Sequence, residues 1–215
     1  MTVEKTIYFV RHGQSEANIA VGVSQPLDSP LTPKGKEQAG QVAERVGLIA
    51  FDLLVCSTLI RAKQTCEAIT TRTGKEPVYS ELFVERREPA ELAGKSRDDT
   101  ETSELWEAWN ENLYTPGSRV SNGENFDDFM ERADAALEYL QGREEETILV
   151  VTHGRFLRAL LARVLLGPTI TGESFRSFQS NIETQNTGLS VLKYGQHRGA
   201  VGWYVWIYND HAHLG

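Results

Sequence analysis

A chain of 215 residues can bury a sizeable core and fits a single domain spanning residues 1–215. Its formal net charge of -8 and pI near 5.2 argue against a nucleic-acid or anionic-membrane surface, so any anion must be held by a local cluster of bases. Met1 to Lys5 carries no apolar leader, and the longest apolar helical stretch, Phe156 to Leu166, is broken by Arg158 and Arg163, so a soluble, cytoplasmic protein without a membrane span is expected.

Ile7 to Val10 is apolar, aromatic or β-branched and reads as a buried strand that delivers Arg11 and His12 to its carboxyl end. Gly13 removes a side chain beside the imidazole, which would let a phosphate approach the backbone there. A loop from about Ile19 to Leu31, with Gly22, Pro26 and Pro30, precedes Thr32-Pro33, an N-cap followed by proline at the first helical position. Ala39, Val42, Ala43 and Val46 then recur at helical spacing. Phe51 to Cys56 is a second strand, and the helix after Ser57-Thr58 carries Leu59, Ala62, Cys66 and Ile69 on one side. Cys56 and Cys66 read as reduced packing residues, without metal-ligand spacing.

Glu104 to Leu113 predicts a helix with Trp106 and Trp109 on its apolar face, broken by Gly117 to Gly123. Phe126, Phe129, Met130, Ala133, Leu137 and Leu140 mark the clearest amphipathic helix. Thr147 to Thr152 is a continuous β run, His153-Gly154 a turn, and Phe156 to Leu166 an apolar helix. A loop from Pro168 to about Gln185 leads to two late strands, Thr187 to Tyr194 and Val201 to Tyr208. Strand and helix alternate, the pattern of an α/β layer fold with a mostly parallel sheet.

In such sheets ligands bind beyond the carboxyl ends of the strands. Arg11 and His12 follow the first strand, Ser57 and Arg61 the second, and His153-Gly154 the third, where free N–H groups of a helix N-terminus could face an anion. Two arginines and two histidines converging there make a pocket for a tetrahedral dianion. His197, His211 and His213 lie in late loops or the tail and read as surface or packing residues. Trp106 and Trp109 fit core positions more readily than a pocket wall.

The sequence resembles the histidine phosphatases, the phosphoglycerate mutase-like superfamily. The resemblance rests on Arg11-His12-Gly13-Gln14-Ser15-Glu16-Ala17-Asn18, Leu31-Thr32-Pro33-Lys34-Gly35, and Ser57-Thr58-Leu59-Ile60-Arg61-Ala62-Lys63-Gln64-Thr65. It continues with Glu85, Gly94-Lys95-Ser96, Gly123-Glu124-Asn125-Phe126 and Val151-Thr152-His153-Gly154, and ends at Asn209-Asp210 and His213-Leu214. It implies a three-layer α/β/α fold with a small helical cap insertion at about 86–122. It implies that His12 is a nucleophile that becomes phosphohistidine, that Arg11, Arg61 and His153 hold the phosphoryl group, and that Asn18 lends an amide. Gly154 joins that binding set, and Glu85 matches the general acid, ahead of Glu81, Glu88 and Glu91. No metal or cofactor is implied, because arginines supply the positive charge.

The segment from Arg86 to Asn122 holds five basic and eight acidic residues, which is no basic surface for a multiply phosphorylated substrate. Arg86 and Arg87 stand next to the acid and could hold a second anionic group. Glu85-Arg86-Arg87-Glu88-Pro89 lacks the tyrosine and glycine of the Glu-Arg-x-Tyr-Gly form associated with cofactor-dependent mutases. The expectation is a phosphomonoester phosphatase acting on a small phosphorylated substrate, with a phosphoglycerate mutase second and a phosphate-binding module without turnover third. A dimer is compatible with the sequence, but no stretch argues for one.

Overall fold

The computed structural model describes residues 4–20 and 29–215, so Gly22 and Pro26 of the expected loop lie outside the described residues. Six strands form one mixed sheet in the order β3-β2-β4-β1-β5-β6. Strands β1 (Lys5–Arg11), β2 (Leu53–Ser57), β3 (Pro77–Ser80) and β4 (Thr147–Thr152) run parallel, whereas β5 (Leu189–His197) and β6 (Ala200–Asp210) add an antiparallel edge. Every residue of β2 is buried, as expected for a parallel strand covered on both faces.

Two apolar clusters make the layers. On one face, α2 (Pro33–Val46) and α3 (Ile60–Thr73) bring Val42, Val46, Cys66 and Ile69 against Val10, Leu54 and Val151. On the other, α5 (Phe126–Gln141) and α6 (Gly154–Leu166) bury Phe129, Leu140, Phe156 and Leu160 against Ile7, Phe9, Val55 and Val150. Alternate strand residues thus face opposite layers, and each fully buried Leu, Val or Phe contributes roughly 1.5–3 kcal/mol. Thr32 caps α2 by accepting from Gly35 N at 3.0 Å, with Pro33 in the first turn, and Gly74 ends α3 with φ 69°. Cys56 and Cys66 are free and buried.

The structure corrects several boundaries. The short helix α1 (Glu16–Ile19) follows the first strand, and α4 extends from Thr100 to Asn112, capped by Asp99. The stretch expected to be a loop from Pro168 to Gln185 contains α7 (Gly172–Ser180), whose Phe175 packs on Phe126 and Phe129. Strand β5 begins at Leu189, after Thr187 turns the chain at φ 59°, in the left-handed region. Among the described residues no helix is long and apolar enough to cross a membrane.

Candidate active site

The order β2-β4-β1 sets Ser57, His153 and His12 side by side at the carboxyl edge. Arg11 pairs in register with Thr152, so the next residues in each chain segment, His12 and His153, leave adjacent parallel strands together, and their ring centroids are 4.9 Å apart. Arg61 comes from the first turn of α3 and lies against His12, its Nε donating to His12 Nε2 at 3.3 Å. Arg11 donates to Thr184 O.

The hydrogen bonds fix the chemistry of the first imidazole. His12 Nδ1 meets the carbonyl of Gly13 at 2.7 Å, and a carbonyl only accepts, so Nδ1 carries the proton. Nε2 is then left with a lone pair, which is consistent with its accepting from Arg61. His153 Nε2 meets Ser57 Oγ at 2.7 Å, and Oγ also accepts from Leu59 N at 3.3 Å. In the tautomer whose Nε2 accepts the hydroxyl hydrogen, His153 Nδ1 is a donor. That nitrogen, Arg11 Nε and Arg61 Nη1 are all buried without a partner. Orphaned buried polar atoms are rare, and three clustered around one unprotonated imidazole nitrogen describe a pre-formed site for an anion whose central atom the Nε2 can attack.

Both imidazoles are held well below the usual histidine range, by burial first and then by Arg61, with Arg11 adding to the effect. A histidine depressed in the folded state stays neutral while the unfolded chain protonates near pH 6.5, so folding binds fewer protons below that value. Stability should therefore fall as pH drops below about 6.5, by up to about 1.4 kcal/mol per pH unit for each such histidine. Urea midpoints taken in steps of about half a pH unit from about pH 7.5 down to about pH 5 would show that slope, and a flat profile would contradict it. The depressed carboxylates of Asp128 and Asp210 contribute in a lower window, below about pH 4.

Glu85 approaches from the other side. Its Oε1 accepts from Arg86 N at 2.9 Å and Phe156 N at 3.0 Å, and its Oε2 from Arg155 N at 3.1 Å. Two of the N-terminal N–H groups of α6 that sequence reasoning assigned to an anion beside His153, those of Arg155 and Phe156, are therefore taken by Glu85, and the carboxylate is anchored to the helix. Spare acceptor capacity lies mainly on Oε2. The segment bearing Glu85 is pinned by Arg132, which donates to Leu82 O at 2.9 Å, Val84 O at 2.8 Å and Glu85 O at 3.3 Å. Glu124 in turn accepts from Arg132 Nε at 2.6 Å and Nη2 at 2.7 Å.

Asn18 lines the same cavity with its Oδ1 turned to Ser15 N at 3.0 Å and Asn186 Nδ2 at 3.1 Å, which leaves its own amide hydrogens uncommitted. Asn186, which sequence reasoning missed, also donates to His12 O at 3.0 Å. It precedes the left-handed Thr187, whose Oγ1 contacts His213 Nε2 at 3.1 Å; Arg45 joins His213 Nδ1 at 3.3 Å and pairs with Asp210. A β-branched residue at positive φ costs of order 1–3 kcal/mol, and here the tail holds it beside the site. His213 is thus a bracing residue, and His197 stacks on Tyr204.

Two glycines have reasons other than room for phosphate. A Cβ on Gly13 would lie 2.4 Å from Gly35 O, and one on Gly35 1.9 Å from Gln14 O, so the loop after β1 packs directly on the start of α2. A Cβ on Gly154 would stand 3.0 Å from Arg11 Nε and from Thr184 Oγ1. Arg86 is 4% exposed and stacks on Trp109 at 3.9 Å. Its Nε and Nη2 donate to Glu124 O, Trp109 O and Asn112 Oδ1, leaving Nη1 alone unpartnered. Trp109 is buried as expected of a core position and Trp106 is half-buried, and both also line the cavity, which has a volume of about 770 Å³. No cluster of three metal-ligating side chains occurs among the described residues.

Comparison with known proteins gives the same picture. The family described as "Histidine phosphatase superfamily (branch 1)" matches residues 7–206. A Proteus mirabilis protein named "Probable phosphoglycerate mutase GpmB" is 32% identical over 97% of this chain and 94% of its own. Among solved structures, Bacillus stearothermophilus YhfR superposes with a TM-score of 0.79 at 25% identity, covering 98% of this chain and all 100% of that one. A mycobacterial glucosyl-3-phosphoglycerate phosphatase superposes with a TM-score of 0.72 at 22% identity, covering 97% and 100%, a likeness of fold.

Proposed function

Because the chain belongs to the histidine phosphatase superfamily, branch 1, we propose that it is a metal-independent phosphomonoester phosphatase of small phosphorylated metabolites working through His12. The observation that carries the reading is the unprotonated Nε2 of His12 set among three unpartnered buried nitrogens, Arg11 Nε, Arg61 Nη1 and His153 Nδ1. Those donors match the equatorial oxygens of a phosphoryl group, and fixed guanidinium forks stabilise its charge in the way a metal otherwise would.

In the first half-reaction Nε2 attacks phosphorus in line. The P–O bond to the alcohol breaks, and Glu85 gives the leaving oxygen its proton. In the second, water attacks the phosphohistidine, Glu85 takes back a proton, and the N–P bond breaks to release phosphate and restore the neutral imidazole. Asn18 and Gly154 border the phosphate, the amide of Asn18 as a donor. Arg86 is held by the chain itself through Nε and Nη2 and reaches a ligand only through Nη1.

The names of the curated relatives favour a second reading, a phosphoglycerate mutase. The two differ in product. A panel of phosphomonoesters including 3-phosphoglycerate, assayed in chelator with and without a bisphosphorylated primer, separates them. Free phosphate from several esters is expected; isomerised 3-phosphoglycerate without free phosphate would establish the mutase, and retention of ligand without any product would establish a binding module. Vanadate should inhibit, and activity lost in chelator and restored by a divalent metal would overturn the metal-free mechanism. Glu85→Gln should slow esters of poor leaving groups more than those of good ones; equal losses would remove Glu85 from the acid role.

A further inference from the structure

The cavity extends well past the phosphate-facing nitrogens, and it is cationic in a chain of net charge -8: seven arginines line it against four glutamates. Five of those arginines stand outside the phosphate-facing pair Arg11 and Arg61, and Arg86, Arg155 and Arg158 are among them. Arg155 and Arg158 stand three residues apart at the start of α6 and so share one helix face. Positive side chains there oppose the partial positive charge of a helix N-terminus, which the carboxylate of Glu85, seated on Arg155 N and Phe156 N, offsets in part. The Arg155 guanidinium has no hydrogen-bond acceptor or ion pair among the described residues, and Arg158 Nε is buried without a partner, its Nη1 making only a 3.4 Å contact to Ile182 O.

Arg86 lines the same cavity from the segment after Glu85. It is 4% exposed, and its Nη1 is buried and unpartnered. Burial first, and then Arg155 beside it, press Arg86 down to about 9, and Arg155 also lowers Arg158. Of the carboxylates nearby, Glu85 is committed to three backbone N–H groups, and Glu183 is exposed. Crowded guanidiniums with idle donors lining one cavity fit an anionic ligand group, which would satisfy the donors and relieve the repulsion together.

We propose that Arg155, Arg158 and Nη1 of Arg86 form a second anion subsite, so that the substrate is a phosphomonoester whose leaving group itself carries an anionic group, a carboxylate or a further phosphate. This rests on the phosphatase reading and narrows it. The cavity of about 770 Å³ holds both groups of such a small molecule at once.

The test compares kcat/KM of the wild-type enzyme on matched esters whose alcohol bears a carboxylate, the corresponding carboxamide, or a second phosphate, with p-nitrophenyl phosphate alongside. The carboxylate or the bisphosphate should exceed the carboxamide by about 10- to 100-fold, the worth of charge-assisted hydrogen bonds, and whichever gains more identifies the group. In the Arg155→Gln/Arg158→Gln double variant that ratio should collapse to within about threefold of unity. Equal rates on all three esters with p-nitrophenyl phosphate turned over would overturn the subsite and leave the phosphatase standing, as would a ratio that survives the double variant. Should no ester be turned over, the phosphatase reading fails, and calorimetric binding of a carboxyalkylphosphonate against an alkylphosphonate to the wild-type protein still decides the subsite: equal affinities overturn it.

Discussion

Replacing His12 with alanine should lower phosphomonoester turnover by on the order of 10⁴- to 10⁶-fold, the scale of losing a covalent nucleophile. The loss should fall on kcat, because the groups that hold the phosphoryl oxygens remain. Arg11 and His153 are positioned by their own partners, Thr184 O and Ser57 Oγ, and Arg61, whose Nε donates to His12 Nε2, is the one that loses a contact with the imidazole. The backbone should also stay in place, since His12 N still donates to Thr152 O at 2.9 Å and Asn186 still donates to its carbonyl. Phosphate itself should therefore still bind to the variant. A rapid quench with a radiolabelled ester should trap an acid-labile phosphoprotein in the wild type and none in His12→Ala. Turnover within tenfold of wild type, or a label that persists in the variant, would place the nucleophile elsewhere.

Three of the residues at the centre of that argument, Arg11, His12 and His153, were legible because each stands where an apolar run ends. Ile7 to Val10 and Thr147 to Val151 are continuous β runs, and the polar residues just beyond them, Arg11-His12 and His153, have to emerge at the edge once the strands are parallel. Strand β3 escaped because it is four residues long, starts with proline and lies half-exposed at the sheet edge, so it carries neither alternation nor an apolar run. Helix α7 escaped because its core contact is Phe175 within the polar stretch Gly172 to Ser180; its signal was the Thr171 cap with Ser174 at the third position. The late strands ran differently from their apolar pattern: β5 begins only after Thr187 turns at φ 59°.

What the sequence could not display were bonds between a side chain and a distant backbone. Gly13 reads as room for a ligand until Gly35 is found 2.4 Å from where its Cβ would be. Asn186 reaches His12 across 174 positions, and Arg132 reaches the carbonyls around Glu85 across nearly 50. No local propensity records such contacts, since the donor's partner is a peptide group that every residue possesses. Arg155 and Arg158 did leave a trace: two bases three apart at the start of an otherwise apolar helix, against its dipole.

The largest effect on stability is expected from Glu124→Gln. Glu124 and Arg132 are each 7% exposed, and the carboxylate takes both Nε and Nη2 of that arginine, as well as Arg87 N at 2.9 Å. An amide of the same shape keeps one acceptor oxygen but removes the charge, so a buried guanidinium loses its counter-ion, which costs about 3–5 kcal/mol. Against a total stability of roughly 5–15 kcal/mol, that should bring the urea midpoint down by about a fifth or more. The same change slackens Arg132, whose Nη1 and Nη2 hold Leu82 O, Val84 O and Glu85 O, so the carboxylate of Glu85 loses its fixed seat and kcat should drop in protein that is still folded. Adding Arg132→Leu to Glu124→Gln removes the stranded charge and should recover part of the stability but none of the activity, because the carbonyls before Glu85 are then unheld. A Glu124→Gln cost below about 1 kcal/mol, or a double variant that regains full kcat, would show that this pair neither carries the fold nor positions the acid.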